Sequence, residues 1–538
     1  MNVVPAARAA HWAALAERTA PFDLLVVGGG ATGAGAALDA AARGLSVALI
    51  ERDDLAAATS SRSTKLIHGG VRYLEKAVKE FDRSQFHLVR DALRERAVLI
   101  RNAPHLCHPL PLVTPLYEWW QVPYYLTGLK IYDALAGRAN LAPSRFVDAR
   151  EALQRFPMLR EAGLRGGVVY HDGQFDDARM NVTLALSAAE RGALVVTHAE
   201  VVALRREAGR MRGATVRDVA SGEETAVTAR AILNATGPFV DELRRLDDPA
   251  AEPMLDASSG VHIVLDARFS PPATGLLIPQ TEDGRVLFLL PWQGATLVGT
   301  TDQPAAIERH PRATEDEIEY ILRHVRQYFS LPVERQDVRA AWSGLRPLVS
   351  DPKAADTARL SRDHVVHVAD SGLVTIAGGK WTTYRRMAED AVDAALAVAG
   401  IEAAPSPTED LRLAGAERLL PTGAGELQER GFPADVARHL HLAYGDRADA
   451  VAAIAGDGDA ARLAPDHPYL EAEVRHAARS EFAASTVDVL ARRTRLAMLD
   501  AAAARAAAPR VSRILAEELG WDAARTEAET TAAAAWVS

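Results

Sequence analysis

FDLLVVGGGATGAGAALDAAARGLSVALIE, from Phe22 to Glu51, reads as a strand, a glycine turn, an alanine-rich helix and a second strand. The apolar run Leu24 to Val27 stops at Gly28, and Gly28, Gly30 and Gly33 keep the GxGxxG spacing, with Ala31 and Thr32 between the last two. Glycines at that spacing let backbone N–H groups at a helix N-terminus approach a pyrophosphate. The second apolar run, Val47 to Ile50, is closed by Glu51. That is the acidic residue the fingerprint expects about 20 residues on, for a ribose hydroxyl. A lone GxGxxG is weak, but here strand, helix, second strand and acid stand in context, so the stretch predicts a dinucleotide site.

The 538 residues allow about three domains of ordinary size, and 48% hydrophobic content is ample for large cores. A single cysteine, Cys107, excludes an intramolecular disulfide and any CxxC pair; a buried structural thiol is expected. The net charge of −10 argues against nucleic acid as a partner but leaves room for a basic pocket that takes a small anion. Met1 to Ala20 carries Arg8, His11, Glu17 and Arg18 without an apolar core, so a short helix is expected there rather than a signal peptide. Leu110 to Leu135 is broken by Pro111, Pro115 and Pro123 and carries Glu118, Lys130 and Asp133, so no spanning helix is expected. A soluble protein, or one lying on a membrane, follows.

Beyond Glu51, ATSSRSTKLIHGGVRYLEK (Ala58 to Lys76) is a hydroxyl-rich loop suited to phosphate or flavin atoms, and His68, Gly69 and Gly70 suggest close backbone approach to a planar ligand. A helix is expected from Phe81 to Arg101. Tyr117, Trp119, Trp120, Tyr124, Tyr125 and Tyr132 then crowd together in a chain that is 6% aromatic. They suit a membrane interface or quinone-accessible surface, or else an aromatic sub-core or dimer contact. From Gly167 to Thr236 the strand pattern is expected to resume the first sheet, with a helix at Asp177 to Arg191 and Ala235, Thr236 and Gly237 at its carboxyl edge. Strand-like runs from His262 to Thr301 predict an antiparallel substrate sheet, followed by a helix at Glu315 to Tyr328. A strand at Leu373 to Ala377 runs through Gly378 and Gly379 into a helix near Thr382, a second glycine-linked N-terminus aimed at the same ligand.

The expected fold class is α/β: a discontinuous Rossmann-like FAD-binding domain, an antiparallel-sheet substrate domain and an all-α C-terminal domain. An N-terminal helix occupies 1–20 and the FAD-binding domain lies within 21–404, roughly as 21–100, 165–255 and 355–404. The substrate domain is inserted at roughly 101–164 and 256–354, and the helical domain is 405–538. The DGDA run at Asp457 lacks calcium-loop spacing, and no metal site is expected.

The segments TSSRSTKLIHGGVRYLEKA, PLYEWWQVPYYLTGLKIYD, YHDGQFDDARMN, NATGPF, AAWSGLRPLV, AGGKWTTYR and YLEAEVRHAARSEFAASTVDVLARRTRLAMLD give the chain a close resemblance to the FAD-dependent glycerol-3-phosphate dehydrogenases of mitochondrial type. It resembles a bacterial member without the transit sequence or the calcium-binding EF-hand pair. The resemblance implies oxidation of sn-glycerol 3-phosphate to dihydroxyacetone phosphate by hydride transfer from C2 to flavin N5, with non-covalent FAD and electrons passed to a quinone, ubiquinone or menaquinone. It further implies a cytoplasmic protein held peripherally at the inner face of the cytoplasmic membrane, with a homodimer left open. An oxygen-using glycerol-3-phosphate oxidase and a catalytically silent membrane-associated flavoprotein are the alternatives.

The resemblance also assigns residues. Catalysis is expected from His262, whose imidazole takes the hydroxyl proton, and from Arg346, which is flanked by Gly344 and Pro347 as in a fixed loop and is aimed at the C2 oxygen or phosphate. Arg72, Tyr73, Thr301, Arg346, Arg362 and Lys380 are expected to bind substrate. The cofactor is expected to contact the first turn (Gly28, Gly30, Ala31, Thr32, Gly33), Glu51 and Arg52, and the loop residues Thr59, Ser60, Ser61, Lys65, His68, Gly69 and Gly70. Further contacts are expected from Val202, from Ala235, Thr236 and Gly237, and from the second turn at Gly379, Lys380, Trp381, Thr382 and Thr383.

Overall fold

A computed structural model describes residues 7–70, 83–350 and 364–537. The strand that opens the fingerprint, Phe22–Val27, lies at the centre of a parallel array. Its neighbours run in the order Leu373–Gly378, Glu224–Asn234, Phe22–Val27, Val47–Ile50, Leu194–Val196. The strand His364–Val368 closes one edge antiparallel, and the ribbon of Ala199–Glu207 and Arg210–Asp218 continues from Glu224–Asn234. Parallel strands covered on both faces must be apolar on both, which is why Leu24 to Val26 and Val47 to Ile50 are uninterrupted apolar runs. Helices Ala31–Ala42, Asp177–Ala189 and Tyr384–Ala399 cover one face. The ribbon and the N-terminal helix Arg8–Glu17, through Leu15, cover the other.

A second sheet carries ten strands among the described residues, and towards one end of it Leu255–Asp266 pairs antiparallel with Val338–Val349 from Leu255↔Val349 to Leu265↔Val338. The strand expected to resume the first sheet, Gly166–Phe175, belongs here instead. It pairs antiparallel along its whole length with Cys107–Leu116, from Cys107↔Phe175 to Leu116↔Gly166. Pro109, Pro111 and Pro115 mask that partner in the sequence. They fall on alternate positions, and the neighbour on the other side pairs only with Leu112 and Val113, so few N–H groups are missed. Helix Glu315–Tyr328, begun by a Thr314/Glu317 capping box, covers one face.

The aromatic stretch divides. Trp119 and Trp120 are each 63% exposed, at the start of helix Gln121–Ala136. Tyr132 on the same helix is buried; its hydroxyl donates to Asp172 Oδ1 (2.9 Å) and accepts from the Gly69 N–H (2.7 Å). No helix among the described residues is long and apolar enough to cross a membrane.

The C-terminal helices pack on the other face of the second sheet, against Trp292 and Trp342. They also reach the first domain through buried charges. The Arg493 guanidinium donates to both oxygens of Asp54 at 2.7 and 2.8 Å, and Arg492 joins the same carboxylate. Arg495 donates to Asp177 Oδ1 (3.0 Å) and the Ser61 carbonyl (2.9 Å), and Arg179 forms a two-bond pair with Glu481. Removing one partner of such a cluster leaves a buried charge uncompensated. Asp54→Asn should therefore lower unfolding stability by about 3–5 kcal/mol, read as a shift in the urea midpoint.

Candidate active site

At the carboxyl edge of the first sheet lies a cavity of about 570 Å³. Gly28, Gly30, Ala31 and Thr32 of the first turn line it, with Glu51 and Arg52 at the end of the second strand. Gly28 has φ +108°, and a Cβ there would stand 2.5 Å from the Ala235 carbonyl oxygen. Gly33 lies beneath the turn, where a Cβ would stand 1.8 Å from the Gly28 carbonyl oxygen. Glu51 accepts from the N–H groups of Gly29 (2.6 Å) and Asp53 (2.8 Å). Burial and the Asp53 carboxylate push it up to about 7. Asn181 Nδ2 braces the turn from below at the Gly29 carbonyl (2.7 Å); sequence reading missed it, although it lies in the quoted YHDGQFDDARMN segment.

The hydroxyl loop is tied to three elements at once. Ser60 Oγ accepts from Ala31 N–H (2.9 Å), Thr59 Oγ1 donates to the Leu345 carbonyl (2.7 Å), and Trp381 Nε1 donates to the Ser60 carbonyl (2.8 Å). Thr59, Ser60, Val202, Ala235, Thr236, Gly237, Gly379, Lys380 and Trp381 all line the cavity. Ser61, Lys65, His68, Gly69, Gly70, Thr382 and Thr383 are not among its lining residues. Thr382 Oγ1 accepts from the His68 N–H (3.2 Å), and Thr383 Oγ1 donates to the Lys380 carbonyl (3.2 Å), so these residues fix the loop and the second turn. Arg72, Tyr73 and Arg362 lie outside the described residues.

His262 does not open a strand; it lies within Leu255–Asp266, opposite Trp342 of Val338–Val349. Its ring stacks on the Trp342 indole with centroids 4.3 Å apart and planes 20° off parallel. Nε2 faces Thr64 Oγ1 at 2.9 Å, so this nitrogen is already paired with an alcohol oxygen. Burial first, then the positive charges of Lys65 and Arg346, hold the imidazole well below its ordinary value, and it is neutral at physiological pH. Gly299 leaves the ring its room, since a Cβ there would stand 2.2 Å from it.

Arg346, expected in a loop, sits in the twelve-residue strand Val338–Val349, opposite Ser258. The flanking Gly344 and Pro347 suggest a turn, but Gly344 is required because a Cβ would meet Arg62 Cβ at 2.8 Å. The guanidinium donates to Thr300 Oγ1 (3.0 Å), the carbonyls of Thr301 (3.1 Å) and Ser259 (3.2 Å), and Asp302 Oδ1 (3.3 Å). It lies over Gly260, where a Cβ would stand 2.4 Å from its terminal nitrogen. Thr301 Oγ1 is turned to the Val261 N–H and Glu317 Oε1. Gly260, His262, Trp342 and Arg346 share one sheet face by their register.

A glycine-cradled cavity thus lies at one sheet, and a buried imidazole and a guanidinium share a face of the other; residues 23–385 match the family model described as FAD dependent oxidoreductase, which makes the chain an FAD-dependent oxidoreductase. Residues 406–526 match the C-terminal domain of alpha-glycerophosphate oxidase. The mitochondrial glycerol-3-phosphate dehydrogenase of Homo sapiens is 49% identical over 537 residues, covering 97% of this chain and 74% of its own length. That of Arabidopsis thaliana is 49% identical over 547 residues, covering 97% and 87%. The solved glycerol-3-phosphate dehydrogenase of Bacillus halodurans, complexed with FAD, superposes with a TM-score of 0.80 at 29% identity, covering 100% of this chain and 98% of its own. The chain belongs to the FAD-dependent glycerol-3-phosphate dehydrogenase family.

The cradle at Gly33 admits no side chain, because the atom it would strike is backbone. Gly33→Ala should abolish FAD retention, measured as flavin absorbance per polypeptide after purification.

Proposed function

We propose that this chain oxidises sn-glycerol 3-phosphate to dihydroxyacetone phosphate and passes the electrons to a quinone, ubiquinone or menaquinone. The observation that carries the reading is the shared face of His262 and Arg346, in a chain 49% identical along nearly its whole length to glycerol-3-phosphate dehydrogenases. Bound FAD supplies the acceptor for the hydride leaving C2. The neutral His262 Nε2 takes the proton of the C2 hydroxyl, in the direction Thr64 Oγ1 now occupies. Arg346 steadies the negative charge growing on the C2 oxygen, and a guanidinium pre-held by four partners needs little reorganisation to do so. Arg72, Tyr73, Arg362, Thr301 and Lys380 complete the proposed grip on the phosphate and hydroxyls.

The loop Thr59 to Gly70 and the turn Gly379 to Thr383 are proposed to hold the flavin half of non-covalent FAD, and Glu51 the ribose. The division into a discontinuous cofactor domain, an inserted substrate domain and a helical domain from 405 belongs to the same reading. So does peripheral attachment at the inner face of the cytoplasmic membrane, supported by the exposed Trp119, Trp120 and Tyr124. A homodimer is compatible with it.

Anaerobic glycerol 3-phosphate should bleach the flavin spectrum; an unchanged spectrum overturns the reading. Arg346→Ala should lower the limiting rate of that bleaching by about 100-fold or more while the protein keeps its FAD. Gly260→Ala should slow it in the same way, by displacing the guanidinium rather than deleting it. Turnover with ubiquinone should exceed peroxide formation in air, and strong peroxide production without quinone reduction would assign the chain to the oxidases.

A further inference from the structure

Lys65, expected at the cofactor, is fully buried beside the reacting base. Its Nζ lies 4.5 Å from the centroid of the Trp342 indole, the ring on which His262 stacks at 4.3 Å, and 5.3 Å from that of Trp292. Ammonium and imidazole are therefore within about 9 Å of each other, both against the same indole. The neighbouring residue, Thr64, holds His262 Nε2 directly. The dipeptide Thr64-Lys65 thus contacts both the imidazole and the indole on which it stacks.

The charges around this pair are specific. Lys65 donates to Asp177 Oδ2 (2.6 Å) and to the Ser61 carbonyl (2.7 Å). Asp177 is shared with Arg495, at 3.0 Å, and with the Ser63 hydroxyl and N–H, so its negative charge is already spread over several donors. Asp176 adds a second carboxylate, 3.7 Å from Arg495 Nε. Toward His262 the charged groups that count among the described residues are Lys65 and Arg346, both positive.

We propose that Lys65 is a positioning residue for the reaction, which acts through Trp342 to keep His262 an uncharged, oriented proton acceptor. The role rests on the reading of His262 as the group that takes the C2 hydroxyl proton. Burial pulls Lys65 down while Asp177 opposes it, and the ammonium that Asp177 holds, 4.5 Å from the centroid of the ring on which His262 stacks, resists protonation of His262. The base consequently stays available as pH falls. A buried ion pair of purely structural value would have no such effect on the base.

The test is the limiting rate of anaerobic flavin reduction at saturating glycerol 3-phosphate, followed from neutral to acid pH in the FAD-loaded protein and scaled to bound flavin. The wild-type acid limb should fall below about 6.5, the ordinary imidazole value. Lys65→Gln, which keeps a hydrogen-bond donor for Asp177 and removes the charge, should move that limb upward by about one unit. An unmoved limb in Lys65→Gln overturns the proposal. So does a wild-type limb at or above about 6.5, a measurement that needs no variant to fold. His262→Asn separates the two readings: retained wild-type rate and limb remove His262 as the acceptor, whereas a lost rate beside an unmoved Lys65→Gln limb removes only the role of Lys65.

Discussion

The structure depends on buried arginines of the C-terminal helices reaching carboxylates of the cofactor domain. Arg492 and Arg493 converge on Asp54, three residues past Glu51, and Arg495 on Asp177 and on Ser61 within the hydroxyl loop. The approach to that loop and its first turn are thus fixed by a segment more than four hundred residues away in sequence. Charges buried this deeply are tolerated because each guanidinium meets a carboxylate directly, Arg493 with two bonds to Asp54 and Arg495 with one to Asp177. The helical domain is therefore part of the scaffold of the site, not an appendage to it.

That scaffold explains how two sheets cooperate. The first presents backbone at its carboxyl edge, where glycines allow a dinucleotide to lie close. The second presents side chains from the middle of long strands, where register rather than loop shape sets their spacing. His262 and Arg346 stand on different strands yet share a face because Leu255–Asp266 and Val338–Val349 pair continuously between them. Glycine recurs where these side chains need space: Gly299 under the imidazole and Gly260 under the guanidinium.

The first βαβ unit was legible because its signals are local: a glycine spacing, an apolar run and an acid within thirty residues. The helix Glu315–Tyr328 was legible for the same reason, since its apolar spacing lies within fourteen consecutive residues. What failed was non-local. Gly166–Phe175 carries the apolar content of an inner strand, and nothing in it tells which sheet it joins while its partner is disguised by prolines. Arg346 read as a loop residue because glycine and proline flank it, whereas that glycine answers to Arg62 across the fold. Lys65 lay in a recognised loop, but its setting is made by Trp292, Trp342 and Arg495, far away in the chain. The run ARRTR at Ala491 to Arg495, strongly basic within an apolar helical stretch, is a signal that could have pointed to the buried network.

The hydroxyl of Tyr132 has a mechanical meaning. It links helix Gln121–Ala136, whose N-terminal end begins at the exposed Trp119 and Trp120, to the backbone of Gly69, and Asp172 and Arg96 anchor it from behind. Leu93 and the Tyr132 ring leave no room for a side chain at Gly69, so the contact has little slack. Sliding the helix outward would strip the buried Tyr132 hydroxyl and the buried Gly69 N–H of their partners, at a cost of about 1–3 kcal/mol for each. The outer helix and the inner loop therefore behave as a strut and its bearing: a load on one is transmitted to the other instead of being absorbed between them.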